Sequence, residues 1–256
     1  MVTAGALVTS NDAALAVPDW PLNWGRLVPP LEGGIRFEFA HRVLALIVAV
    51  LTAILALRMQ SREPRRWMRR LAWWAVAAVV SQALLGGLLV KLVDPKVLAV
   101  AHASLAQLCF GVLVAIVVGY RADYRAGNWV AWITVVAMFV QAVLGAALRH
   151  SAVGVAPHIV GAVVATAAAM WASLQLVIRH LDDGKTPRSA VALLALTGLQ
   201  IFSGVAAYGV RAAAVHDPQP MPLTVWTTVA HVVLGSLVFG AAIVLAMTGG
   251  DQKKNL

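Results

Sequence analysis

Seven long apolar stretches constrain what this sequence can fold into more than any other feature. They cover residues 36–57, 71–93, 97–120, 128–148, 155–178, 189–210 and 223–247. An α-helix needs about 20 apolar residues to cross a bilayer core of about 30 Å, whereas a membrane β-strand needs only about 10. The lengths therefore predict an all-α membrane protein with seven transmembrane helices.

The composition excludes the other broad classes of protein. Hydrophobic residues make up 61% of the 256 residues and charged residues only 12%, whereas a soluble domain carries about 25% charged residues. The net charge of +9 does not indicate nucleic-acid binding, because the basic residues lie between the apolar stretches. We expect membrane lipid as the surrounding partner and no nucleic acid.

Basic residues mark one side of the predicted bundle. The connection from Arg58 to Arg70 carries six Arg and one Glu, and it lies on the same side as the basic residues within 121–125, 179–188 and 253–254. Cytoplasmic connections of membrane proteins are enriched in Lys and Arg. This side is therefore predicted to face the cytoplasm, and the N-terminal segment is predicted to face outward.

A Gln-x-x-x-Gly motif recurs in three of the predicted helices. It spans Gln82–Gly86, Gln141–Gly145 and Gln200–Gly204, so successive glutamines are 59 residues apart. The helix after each motif carries a histidine near its outer end, and the first span carries one as well. These histidines are His102, His158, His231 and His41. The pattern predicts a repeated two-helix hairpin, in which a Gln/Gly helix is followed by a His helix.

The N-terminus fits the same repeat in part. Gly5 stands where the glycine of a Gln/Gly helix is expected, and Met1 stands in the place of the glutamine. Four His helices imply four hairpins and therefore eight helices. We therefore expect that the sequence begins within the first helix of an eight-helix parent.

Four histidines at one depth in the membrane indicate a ligand site. Ionisable side chains inside membrane spans are costly and usually functional. Zinc sites commonly add Cys or carboxylate ligands, whereas haem iron takes axial histidines that facing helices can supply. Four histidines fit either two bis-histidine haems or one such haem beside a bound haem substrate. Because all four lie toward the outer face, electron transfer across the membrane through protein-bound haems is disfavoured.

Glu38, His41 and Arg42 form a turn whose charges are not repeated in the other His helices. Glu38 and His41 are three residues apart, so they share a helix face. The carboxylate could hydrogen-bond the imidazole or accept a proton, and Arg42 could contact a carboxylate such as a haem propionate. A plain Glu–Arg pair at the membrane surface is the alternative. The positions equivalent to Glu38 in the other His helices hold Ala99, Val155 and Thr228.

The Glu38-x-x-His41-Arg42 turn, the segment Val17-Pro-Asp-Trp-Pro21 and the four outer histidines resemble the haem A synthase family. The resemblance covers almost the whole chain. It implies eight helices in two pseudo-symmetric four-helix halves, here residues 1–125 and 126–256, with the first helix truncated. It also implies oxidation of the C8 methyl of haem O to a formyl group during cytochrome oxidase assembly.

The resemblance further implies a role for each site residue. His41 and His102 would hold the substrate haem in the N-terminal half, with Glu38 taking part in the oxidation as the catalytic residue. His158 and His231 would ligate the iron of a haem b cofactor in the C-terminal half. The implied partners are haem O, haem O synthase and cytochrome oxidase, and self-association is left open. The implied location is the prokaryotic plasma (inner) membrane, with the histidines on the periplasmic side.

Two other functions share part of these observations. A non-catalytic bis-histidine cytochrome in quinol electron transfer would explain the histidines but not Glu38. A haem-free transporter would use the histidines and Glu38 as a proton relay, although transporter sites usually lie near the membrane midplane beside broken helices. A bound haem would separate the transporter from the other two, and haem A formation would separate the synthase from the cytochrome.

Overall fold

The structure, a computed structural model, describes residues 1–121, 128–180 and 187–249. Regular secondary structure in these ranges is helical. The eight helices are α1 (Val2–Ser10), α2 (Ile35–Arg62), α3 (Arg66–Lys91), α4 (Lys96–Arg121), α5 (Trp129–Arg149), α6 (Val155–Arg179), α7 (Arg188–Ala213) and α8 (Pro222–Thr248). Each helix from α2 to α8 is long and apolar enough to cross a membrane. The predicted all-α membrane fold with seven spans is therefore confirmed.

The helices extend past the apolar stretches at the basic connection. Helix α2 ends at Arg62 and α3 begins at Arg66, so the connection consists of residues 63–65 rather than the longer segment that begins at Arg58. Charged turns can continue a helix beyond the hydrocarbon core because long basic side chains reach the hydrated headgroup layer. Five of the six arginines between Arg58 and Arg70 therefore lie on helix ends, and Arg65 lies in the connection.

The chain divides into two compact units. The first comprises Met1–Cys109 with Phe202–Val233, and the second comprises Phe110–Ile201 with Leu234–Leu256. The predicted boundary at residue 125 lies outside the described residues, as do the basic residues predicted at 125, 185 and 253–254. The division into a substrate half and a cofactor half therefore stays a prediction.

Helix α2 packs against both α1 and α3 in the first unit. The buried apolar residues near the α2–α3 connection are small or unbranched, and they include Ala56, Met59, Met68 and Ala72. Small side chains let helix backbones approach closely, and methionine adapts its shape to irregular gaps.

Helix α5 packs against α6 in the second unit. Ala165, Ala169 and Ala172 are buried on one face of α6, and this small-residue stripe lets the two helices approach closely. The Oγ1 hydroxyl of Thr134 on α5 donates across this contact to the Ala168 carbonyl, 3.0 Å away. The contact therefore combines close packing with an interhelical hydrogen bond.

Candidate functional site

The four predicted ligand histidines occupy equivalent helices. His41, His102, His158 and His231 lie on α2, α4, α6 and α8, each within the first ten residues of its helix. At a rise of 1.5 Å per residue, they lie within about 15 Å of the start of the helix. The hairpin pattern predicted from the repeat is thus present, with a His helix following each glycine-bearing helix.

Each of these imidazoles lies against the glycine that the repeat places on the preceding helix. A Cβ added at Gly86 would lie 3.2 Å from Cε1 of His102, and one added at Gly145 would lie 3.1 Å from Cε1 of His158. The corresponding separation is 3.4 Å for Gly5 with His41 and 2.8 Å for Gly204 with His231. Real Cβ contacts below about 3.4 Å are uncommon, so at Gly86, Gly145 and Gly204 only glycine fits against the imidazole without a shift of the neighbouring atoms.

The glutamine of the repeat holds the histidine from a second direction. The Gln82 side-chain nitrogen donates to the backbone carbonyl of His102 at 3.0 Å and lies 3.2 Å from its Nε2. Gln141 makes the same pair of contacts with His158, at 3.0 Å to the carbonyl and 3.1 Å to Nδ1. In both hairpins, the Gln-x-x-x-Gly motif is therefore a cradle for one histidine.

His41 and His231 have different neighbours. The Nδ1 atom of His41 is buried and has no hydrogen-bond partner among the described residues. His231 Nδ1 lies 3.1 Å from the Ser203 hydroxyl, one residue before the glycine of its hairpin. The repeat therefore preserves the glycine contact in four hairpins, and the histidine of the fourth hairpin also lies beside the Ser203 hydroxyl.

Glu38 is buried at the start of α2, and each of its carboxylate oxygens accepts a hydrogen bond. One oxygen, Oε1, accepts from the Arg42 guanidinium at 2.5 Å, and Oε2 accepts from the Val17 backbone amide at 2.8 Å. Only 4% of the Glu38 surface is exposed. The hydrogen bond to His41 that the sequence suggested is not formed. Arg42, four residues after Glu38, and the Val17 amide donate to the carboxylate instead.

Arg42 connects this turn to the outer segment that precedes α2. Its Nη1 donates to the carbonyls of Asp19 and Leu22, both at 2.9 Å, and to the Asn23 side chain at 3.2 Å. Its Nη2 also donates to the Val17 carbonyl at 3.3 Å. The pairing of Glu38 with Arg42 is thus part of a larger set of contacts that fixes the outer segment on α2.

Two further residues of the outer segment hold it in place, and the sequence analysis assigned neither a role. The Asp19 carboxylate accepts from the Trp24 and Gly25 amides at 2.6 and 2.9 Å, and these bonds, that of Gly25 foremost, lower the pKa of Asp19. The Trp20 ring lies against Gly87 on α3, so that an added Cβ would approach it to 2.6 Å. An Asp shortly before a glycine turn is the signal that could have indicated the first contact.

Comparisons with known proteins find one family model and several relatives that each cover part of the chain. Residues 1–114 match the COX15-CtaA family model, described as cytochrome oxidase assembly protein. The chain is 38% identical to the haem A synthase of Symbiobacterium thermophilum over 88 residues, which cover 34% of this chain and 29% of the relative. It is 31% identical to the haem A synthase of Wolbachia pipientis subsp. Culex pipiens, covering 42% of this chain and 34% of the relative. The haem A synthase of Geobacillus kaustophilus is 30% identical, with 44% and 36% covered.

The chain thus spans about a third of the length of each of these relatives in the matched region. The family match contains Glu38, His41, Arg42 and His102, whereas His158 and the last hairpin lie beyond it. The resemblance of the later part of the chain rests on the repeat, whose glycine–histidine contact continues through α8. Over residues 1–114, this chain is thus similar to the COX15-CtaA family of cytochrome oxidase assembly proteins.

Proposed function

We propose that this protein is a haem A synthase, an oxidoreductase that converts the C8 methyl of haem O to a formyl group. The names of the relatives and the family description support this activity. The observation that carries the proposal is the histidine–glycine contact repeated in four hairpins, together with the buried carboxylate of Glu38 in the first of them. A cytochrome without catalytic activity would give no reason for that carboxylate.

The residues fit a haem group. A haem ligand must be a neutral imidazole with an available nitrogen in apolar surroundings, and His41 Nδ1 is buried without a partner among the described residues. We assign His41 and His102 to the substrate haem and His158 and His231 to a resident haem b. Iron porphyrins supply the electron-transfer chemistry that amino-acid side chains lack.

The protein's own groups would position the substrate and manage protons. Glu38 would hold or release a proton at its carboxylate as the methyl is oxidised through an alcohol to an aldehyde. Arg42 would contact a propionate by turning one of its donors from a carbonyl of the outer segment to the propionate oxygen. The outer segment, held by Asp19 and Trp20, would limit access of water to the reacting methyl.

The proposed setting follows from the same assignments. The protein would act in the prokaryotic plasma (inner) membrane, with the histidine-bearing helix ends on the periplasmic side and the basic helix ends in the cytoplasm. Haem O synthase would supply the substrate and cytochrome oxidase would receive the product. Self-association in the membrane remains part of the hypothesis.

The test is haem analysis of protein purified in detergent from cells that also make haem O synthase. We expect haem A, or the alcohol that precedes it, together with haem b, by chromatography and mass spectrometry. Haem b with unmodified haem O alone would contradict the synthase and favour the bis-histidine cytochrome. Folded protein without haem would contradict both and favour the transporter.

A further inference from the structure

A basic cavity lies where α2 meets α3, outside the histidine site. Its volume is about 440 Å³ and its lining residues are Gln60, Arg66, Arg69, Arg70, Trp73 and Trp74. Cavities of several hundred cubic ångströms are of the size that holds small-molecule groups. Three guanidinium groups around one such space indicate an anionic ligand.

The acidic residue of this connection does not neutralise the cavity. Glu63 pairs with Arg65, which is not a lining residue, through hydrogen bonds of 2.6 Å from Nε to Oε1 and 3.1 Å from Nη2 to Oε2. These bonds hold the pKa of Glu63 below its usual range. Within the described ranges, neither Arg66 nor Arg70 forms an ion pair with a carboxylate. Their positive charges are therefore available to a ligand.

The surroundings of the cavity favour a ligand at the membrane surface. Arg66 is the first residue of α3, so the positive end of the helix dipole lies beside the guanidinium groups. Arg69 is fixed there because its Nη1 donates to the Glu63 carbonyl at 2.8 Å. Trp73 and Trp74 are 45% and 69% exposed, and exposed indoles in membrane proteins concentrate at the headgroup layer.

We propose that this cavity binds a phosphate-bearing anion, and that the ligand in the membrane is the phosphodiester headgroup of an anionic lipid. Guanidinium groups match phosphate oxygens by paired hydrogen bonds. The two indoles would contact the glycerol and the upper part of the acyl chains. The site would thereby anchor the α2–α3 connection to one leaflet.

The experiment counts lipids retained by detergent-purified protein, using native mass spectrometry. We expect the wild-type protein to retain one phosphatidylglycerol in preference to phosphatidylcholine. The double variant Arg66→Gln/Arg70→Gln should lower this retention about tenfold or more, because it removes two charges from the cavity. The matched control is Arg58→Gln/Arg62→Gln, which removes the same charge from the end of α2 without altering a lining residue, and which should retain lipid like the wild type.

Equal losses in the two double variants would indicate general attraction to anionic lipid and would overturn the site, as would unchanged retention in Arg66→Gln/Arg70→Gln.

Millimolar inorganic phosphate distinguishes the sources of the anion. Displacement of the lipid by phosphate would assign the cavity to free phosphate and overturn the lipid ligand, whereas continued retention would support it. Arg66→Lys/Arg70→Lys keeps the charge and should retain part of the binding, which separates loss of the site from loss of folding. No readout involves haem, so the result is independent of the proposed synthase activity.

Discussion

His41 and His158 occupy equivalent positions in two hairpins, yet their surroundings differ in charge. His41 lies three residues after a buried carboxylate that is paired with Arg42, and an ordered outer segment covers that turn. His158 has a glutamine amide and a glycine as its neighbours from the preceding helix. The same backbone pattern therefore supports one charged site and one neutral site, as expected if one holds a reacting haem and the other a resident haem.

The largest expected effect comes from replacing, in separate variants, the histidine of each of these two hairpins. His158→Ala should abolish the stably bound haem b, because an axial ligand is lost. His41→Ala should keep the haem b absorbance but yield no haem A. The absorbance spectrum and haem extraction measure both results. His216→Ala, in the connection before α8, is the control, and equal loss of haem b in both helix variants would break the comparison.

Glu38→Gln tests the charged site alone. The amide can still accept from the Val17 backbone, but it carries no charge for Arg42 or for proton transfer. We expect bound haem to remain while haem A formation falls about 100-fold or more, the usual range for a lost general acid or base. Glu32→Gln, which alters an exposed carboxylate before α2, should leave the product yield unchanged. Wild-type yield in Glu38→Gln would remove the proposed role.

Replacing a glycine by alanine tests the glycine contacts of His158 and His41 directly. The added Cβ of Gly145→Ala would lie 3.1 Å from the His158 ring, whereas that of Gly5→Ala would meet His41 at an ordinary 3.4 Å. We expect Gly145→Ala to displace the ring, shift the haem b absorbance and lower stability by about 1–3 kcal/mol, the usual cost of overpacking. Gly5→Ala should behave like the wild type.

Gly198→Ala is the matched control for these variants, because nothing lies within 4 Å of its added Cβ. If Gly145→Ala and Gly198→Ala gave the same haem spectrum and the same unfolding temperature, the glycine would not position the histidine.

The smallest effect concerns Asp19, in the outer segment beside the charged site. Its pKa lies below the ordinary value of 3.8, chiefly because it accepts the Gly25 amide. A lowered pKa in the folded state stabilises the segment above pH 3.8, and this contribution is lost as the pH falls through the lower folded-state pKa. The fluorescence of the segment's tryptophans should change only below pH 3.8, and Asp19→Asn should lack this transition. A change above that pH would contradict the assignment.

The sequence was sufficient for the features that the bilayer and the repeat impose. Span lengths follow from membrane thickness, and the regular spacing of Gln82, Gln141 and Gln200 correctly predicted which helix precedes each histidine. The outer segment could not be predicted in the same way. Arg42 holds it mainly through backbone carbonyls 20 to 25 residues away, and every residue has a backbone carbonyl, so the sequence does not indicate which of them accept.

The predicted Glu38–His41 hydrogen bond, which the structure does not contain, shows a second limit of sequence reasoning. Their spacing correctly placed both residues on one helix face, but it did not rank the competing partners of the carboxylate. A guanidinium at i+4 and a backbone amide formed stronger hydrogen bonds than a neutral imidazole at i+3 would offer. The alternative of a plain Glu–Arg pair was therefore closer to the observed geometry.

The glycine–histidine contact has a consequence for the biosynthesis of the protein. Each contact joins two consecutive helices, such as α3 and α4. Gly86 and His102 are 16 residues apart, so they leave the ribosome shortly after one another. A hairpin inserted into the membrane can therefore orient its histidine before any later hairpin exists. Ligand geometry would be set one hairpin at a time during translation, and haem would enter a nascent bundle whose imidazoles are already aligned.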